Sequence, residues 1–345
     1  METRNMLSVN YHAENPYPKK EITGWFSLLK YFGSLNPSSS DSVVEGIGNV
    51  VLPAQTLRAR EQLSTEQEDE IRLNNLEISD GIINTHDGAS LGTLQLTPNK
   101  LLNVHITDQN FIIKFNGNYM LYQYNLDSYI YDANKLQCNL IVFNYRGVGN
   151  SKKPPESILS FQDLVTDGIA QVNRLRSNGV PANHIVLDGL SLGGAIATMV
   201  ASYFHDHGFP VYLWNDRSFA KLSGAAAGMV FPGESFLIES SVRFTLQSAK
   251  WEADVAEAYQ KIPAAYKGYM FVVQDGVIAS NASLHKAVKH QEKIAGQKTG
   301  HKFYANSEVG HNVPRSQLFF NGVNKIANKV TGQDVFENFV LSHRK

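Results

Sequence analysis

The sequence predicts an α/β fold in which a mostly parallel central sheet is flanked by helices. Three observations carry this. Short apolar runs alternate with helix-length stretches from about residue 111 onward, the pattern of a parallel sheet with crossover helices. A stretch of short strand-like runs with Asp-Gly turns precedes them, LEISDGIINTHDGASLGTLQLTP (76–98), which reads as a hairpin. The chain has 345 residues, 43% of them hydrophobic and 18% charged, enough to bury a large core.

Taken in order, residues 1–75 read as an N-terminal extension packed on or preceding the main domain. GWFSLLKYF (24–32) is a short amphipathic helix, GSLNPSSSDS (33–42) a loop and QTLRAREQLSTEQEDEIRL (55–73) a solvated, charge-laced helix. The domain proper spans 76–345. After the hairpin, FIIKF (111–115) is a buried strand, followed by a helix up to about Lys135. NLIVFNY (139–145) is a strand, with a helix near 160–178 after it. HIVLDG (184–189) is a strand leading into helix 191–208, and VYLWND (211–216) is the next strand. After an insertion come strand YMFVVQD (269–275), a helix near 281–294, strand KFYANS (302–307) and a final helix near 315–329. In such sheets ligands bind beyond the carboxyl ends of the strands, so the residues just after each strand are the informative ones.

Several function classes are disfavoured. The formal net charge is −1, which offers no general grip on nucleic acid or anionic lipid. Cys138 is the sole cysteine, so neither an intrachain disulfide nor a Cys-based zinc site is expected. METRNMLSVNYHAENPYPKK (1–20) lacks the apolar segment of a signal peptide, and no apolar run is long enough for a membrane span. A cytoplasmic location is the expectation.

Two pentapeptides fit Gly-x-Ser-x-Gly: GASLG (88–92) and GLSLG (189–193). The motif marks a nucleophile only at a sharp strand-to-helix turn, where the residues two before and two after the serine crowd together and must be small. GASLG follows a polar turn, Asn84 to Asp87, and enters an alternating stretch ended by Pro98, so Ser90 is a hairpin serine. GLSLG follows the apolar His184-Ile185-Val186-Leu187 and continues into a helix opened by Gly194 and Ala195. Ser191 is the candidate nucleophile.

A serine hydroxyl needs a base, and the base needs an orienting acid. Asp275 ends the strand run Tyr269 to Gln274 and is the candidate acid; Asp216, after the preceding strand, is its rival, although Arg217 beside it suggests an ion pair. Eleven histidines compete for the base. His205 and His207 sit at a helix end, His285 and His290 on a helix, His301 at a strand start and His343 in the tail. His311, in SEVGHN (307–312), follows the last strand in a glycine-containing loop and is the candidate base. The oxyanion would be held by the N–H of Leu192 and by a second N–H from the loop Asn116-Gly117-Asn118-Tyr119, with Asn118 the first choice and Tyr119 the alternative.

These residues resemble the α/β-hydrolase superfamily over about 76–330. GLSLGG (189–194) looks like its elbow, and NYRGVGNS (144–151) like the loop after its fourth strand. FNGN (115–118) stands where the family often has His-Gly, so Asn116 is a departure. Asp275 and Gly310-His311 fall where the family carries its acid and base. The resemblance implies an α/β-hydrolase fold with a small cap at 220–250, between strands 6 and 7, whose apolar content suits a small-molecule acyl ester or lipid-like substrate. It implies a serine hydrolase that cleaves an ester or thioester with no metal or organic cofactor. An acyltransferase, an amidase or peptidase, and a binding protein that uses the fold as a scaffold remain open at this point. The segment Asn215 to Phe219 is also similar to α/β-hydrolase-like effectors of intracellular bacterial pathogens. That likeness implies an alternative location, a host cell reached without a signal peptide.

Overall fold

The computed structural model describes residue 51 and residues 63–154, 159–230, 236–273, 275–305, 310–319 and 330–344. The stretches read above as a helix at 24–32 and a loop at 33–42 lie outside the described residues. Nine strands form one sheet in the order β1-β2-β4-β3-β5-β6-β7-β8-β9. These are β1 Leu76–Asn84, β2 Ser90–Pro98, β3 Phe111–Phe115, β4 Asn139–Phe143, β5 Ile185–Leu190, β6 Tyr212–Asp216, β7 Lys267–Val272, β8 Gly300–Ala305 and β9 Leu318–Phe319. From β4 to β8 every neighbouring pair is parallel. The hairpin β1–β2 docks antiparallel on β4, and β9 antiparallel on β8.

The helices follow as the alternation predicts: α1 Thr65–Leu73, α2 Leu126–Leu136, α3 Phe161–Ser177, α4 Leu192–Asp206, α5 Leu222–Val230, α6 Phe236–Ser248, α7 Val255–Lys261, α8 Leu284–Ala295 and α9 Gly332–Ser342. Strand side chains point to opposite faces in turn, so each central strand feeds two cores. Ile113, Ile141, Leu187 and Leu213 pack against α3, α4 and α7. Ile112, Leu140, Val186 and Trp214 pack against α2 and α9, where Ile71 of α1 is also buried.

One element differs from the expectation. No helix opens at 315: a single 3-10 turn, Arg315–Gln317, leads into β9, residues 320–329 lie outside the described residues, and the C-terminal helix is α9. Pro314 precedes the turn, and the Arg315 side chain is drawn inward to Asp188 and Asp216. Leu318 is fully buried, so this stretch follows the demands of the core and not those of a surface helix.

The sheet order fixes where a site belongs. The chain leaves β3 for β4 on one side and returns to β5 on the other, so β3 is the point where the winding direction reverses. A crevice opens beyond the carboxyl ends of strands at such a point. Ser191 stands at the end of β5.

Candidate active site

Ser191 joins β5 directly to α4 with φ 56° and ψ −117°. Holding a non-glycine residue there costs about 1–3 kcal/mol, which the surrounding structure must offset. Two backbone bonds pin it: its N–H donates to Asp216 O at 2.8 Å, and its carbonyl accepts from Ala195 at 3.1 Å. The glycines are there because there is no room for anything else. A Cβ on Gly189 would fall 2.3 Å from Gly193 O, and one on Gly193 would fall 2.0 Å from Phe115 O. The second contact puts the end of β3 directly against the elbow. Ser191 is 8% exposed, and among the described residues its hydroxyl makes no hydrogen bond.

Ser90 starts β2 and donates to Asn84 Oδ1 at 3.0 Å across the hairpin mouth. It is the hairpin serine that its context predicts.

The structure brings Asp275 and His311 together. Asp275 Oδ2 lies 2.8 Å from His311 Nδ1. Its Oδ1 accepts the N–H groups of Val277 and Ile278 at 2.9 and 2.7 Å, which fixes the carboxylate. Both side chains are nearly buried. A carboxylate on Nδ1 favours the tautomer with its proton there, which leaves the lone pair on Nε2. His311 sits in a 3-10 turn, Gly310–Asn312, just past β8. No hydrogen bond joins it to Ser191 among the described residues, and apo sites commonly leave this contact long.

Asp216, the rival acid, is committed elsewhere. Arg217 and Arg315 bind both of its oxygens. Burial opposes its charge, and the two guanidinium groups outweigh burial and hold the carboxyl at about 2. Four of the other histidines have local partners. His205 and His207 bond backbone carbonyls at the end of α4, His285 bonds Tyr269, and His343 packs on Tyr212 and Phe339.

Leu192 is the first, buried residue of α4, so its N–H belongs to the unpaired first turn of that helix. The loop Asn116–Tyr119 folds over the elbow; a Cβ on Gly117 would meet Leu190 O at 3.4 Å, and Tyr119 has φ 65°. Asn116, at the position where the resemblance led to His, is structural. It donates to Phe143 O and accepts from the Tyr129 hydroxyl, which anchors the loop. Asn118 Oδ1 is buried without a hydrogen-bond partner among the described residues.

Sequence reasoning missed a buried ionic chain beneath the elbow. Lys114 of β3 bonds Asp132 at 2.5 Å and Asp188 of β5 at 2.6 Å. Asp188 passes to Arg315, Arg315 to Asp216, and Asp216 to Arg217. Arg217, with φ 49°, then donates from Nη1 to the carbonyls of Gly310, His311 and Val313 at 3.1, 2.8 and 2.6 Å. The turn that carries His311 therefore hangs from the end of β6. Three cations balance three carboxylates along the chain, as nearly complete burial requires. The signal was present: a lysine inside FIIKF and an aspartate inside HIVLDG are charges in buried strands, and each demands a partner.

The loop after β4 is a second such brace. Arg146 bonds Asp87 of the hairpin turn and Asp167 of α3, while Ser151 ties Gly92 N to Asn144 O. The thiol of Cys138 is fully buried, and burial pushes it up to about 12, which makes it inert.

No protein-family model matches the chain, and no curated protein matches it by sequence. Solved structures do match. An α/β-hydrolase from Vibrio vulnificus superposes with a TM-score of 0.57 at 16% identity, covering 81% of this chain and 89% of that one. An esterase from Pyrococcus furiosus superposes with a TM-score of 0.51 at 15% identity, covering 73% of this chain and 87% of that one. The chain has the α/β-hydrolase fold. Within this fold, α5 and α6 occupy the insertion between β6 and β7, with Leu222, Ala225 and Leu246 buried against the main core and Phe244 exposed. No helix among the described residues is long and apolar enough to cross a membrane.

Proposed function

We propose that the protein is a serine hydrolase that cleaves a carboxylic ester or thioester through an acyl-enzyme on Ser191. The observation that carries this reading is the elbow: a serine at φ 56° between two glycines too crowded for any Cβ, with a hydrogen-bonded Asp275–His311 pair in the same α/β-hydrolase fold.

In this mechanism Ser191 Oγ attacks the acyl carbon, and His311 Nε2 takes its proton. Asp275 Oδ2 accepts the Nδ1–H and stabilises the imidazolium that forms. The tetrahedral oxyanion accepts the N–H of Leu192 and that of Asn118. Collapse breaks the bond to the leaving alcohol or thiol, which takes its proton from His311. Water then attacks the acyl-enzyme with the same base, and Ser191 is regenerated. The α5–α6 hairpin is the cap, and its apolar residues suit an acyl or lipid-like chain in a small-molecule substrate.

Mass spectrometry of the protein quenched during turnover of p-nitrophenyl esters of rising chain length tests the reading. An acyl adduct on the peptide that carries Ser191 is the expected result. Turnover with an adduct on another residue, or no turnover across the series, would refute it.

A further inference from the structure

A cavity of about 260 Å³ is lined by Asp275, Arg217 and Ser218 but not by Ser191. Its rim is cationic: Lys286 and Lys289 of α8 and Lys302 of β8 converge on it. Among the described residues none of the three lysines forms an ion pair. The one carboxylate in the wall, Asp275, is held by Val277 N–H, Ile278 N–H and His311. One wall is flat and rigid, because the His285 ring stacks on Phe271 at 3.6 Å and 9° and is held by Tyr269. Burial, and then the charges of Lys289, Lys302 and Lys286 against the opposing pull of Glu292, push the His285 imidazole down; the site is electropositive.

A second observation is independent of the lysines. Ser218 is 4% exposed and lines the same cavity, and its hydroxyl oxygen is buried without a hydrogen-bond partner among the described residues. A buried hydroxyl left unsatisfied costs about 1–3 kcal/mol, so its retention in the wall that carries these three lysines points to an acceptor that enters from outside. Ser283, the N-cap of α8, is in the same wall, and its hydroxyl accepts the Lys286 N–H at 3.3 Å, which fixes the start of the helix that carries Lys286 and Lys289.

We propose that this cavity binds a phosphate group, with Lys286, Lys289 and Lys302 supplying charge and Ser218 Oγ donating a hydrogen bond at its floor. The phosphate oxygens replace water on the ammonium groups, and any organic part lies on the Phe271–His285 stack. The cavity shares Asp275 with the candidate triad and does not include Ser191, and binding can be read without turnover.

The test is calorimetric titration of the full chain with inorganic phosphate and with phenyl phosphate, for wild type and for Lys286→Gln, Lys289→Gln, Lys302→Gln and Ser218→Ala. Lys100→Gln, an exposed lysine at the end of β2, is the control for charge alone. Circular dichroism checks that each variant is folded. Saturable binding by wild type, weakened roughly tenfold by each cavity substitution and unchanged by the control, is the expected result. Tighter binding of phenyl phosphate assigns a phosphate monoester, and equal binding assigns free phosphate. No saturable binding to wild type, or equal weakening by Lys100→Gln, would overturn the proposal.

Discussion

Gly193→Ala tests whether close approach of β3 to the elbow is what shapes the site. The added methyl would lie 2.0 Å from Phe115 O and 2.5 Å from Asn116 O, where ordinary contact begins at 3.4 Å. The backbones must therefore part by about 1.4 Å, and neither can yield as a side-chain tip would. Overpacking of this kind costs typically about 1–3 kcal/mol, and a clash with main chain belongs at the upper end. At about 2–4 °C per kcal/mol, the melting temperature falls by roughly 6 °C or more. The same movement separates Leu192 N–H from the loop Asn116–Tyr119. Losing one oxyanion donor lowers turnover by about 10²–10³-fold, so the rate of ester cleavage falls at least as far. Gly81→Ala is the control: nothing lies within 4 Å of its Cβ and its φ is ordinary, so neither stability nor rate changes. Thermal melts and initial rates on one p-nitrophenyl ester give both readouts. A Gly193→Ala protein that melts and turns over like wild type would refute the reasoning.

Two further substitutions probe the acid. Asp275→Asn keeps the shape of the Asp275–His311 contact but favours the wrong tautomer, so kcat falls on the order of 10⁴-fold with little change in melting temperature; near-wild-type turnover would remove Asp275 from the mechanism. Asp216 governs stability in acid. Its carboxyl is held at about 2 against an ordinary 3.8, so it supplies about 2 kcal/mol that is fully present above about pH 4 and is lost as the pH falls toward 2. The melting temperature drops across that window. Asp216→Asn leaves Arg217 without a carboxylate and Arg315 with Asp188 alone, at a cost of about 3–5 kcal/mol at neutral pH, and flattens the acid slope. A slope unchanged by the substitution would contradict the ion-chain account.

Much of the architecture was legible because it depends on local pattern. FIIKF and NLIVF are short, mostly apolar runs that read as buried central strands, and the small residues after Ser191 announced a tight elbow. The Gly-x-Ser-x-Gly decoy was separable by context alone, since a turn serine at the mouth of a hairpin has no helix to follow. The candidate acid and base could be placed at strand ends, but their mutual contact spans 36 residues of sequence and no local rule reports it. The fate of 315–319 was illegible for the same reason: Arg315 is claimed by Asp188 and Asp216, 127 and 99 residues away. The role of Arg217 was half visible. Its neighbour Asp216 suggested an ion pair, whereas its hold on the His311 turn depends on strands β6 and β8 meeting across β7.

The most direct test of the central claim is labelling with a fluorophosphonate probe, comparing wild type, Ser191→Ala and Ser90→Ala. Such probes phosphonylate a serine only when a base activates it. Wild type and Ser90→Ala should label and Ser191→Ala should not. Labelling that survives in Ser191→Ala, or a wild-type protein that takes no label, would contradict the assignment of Ser191 as an activated nucleophile.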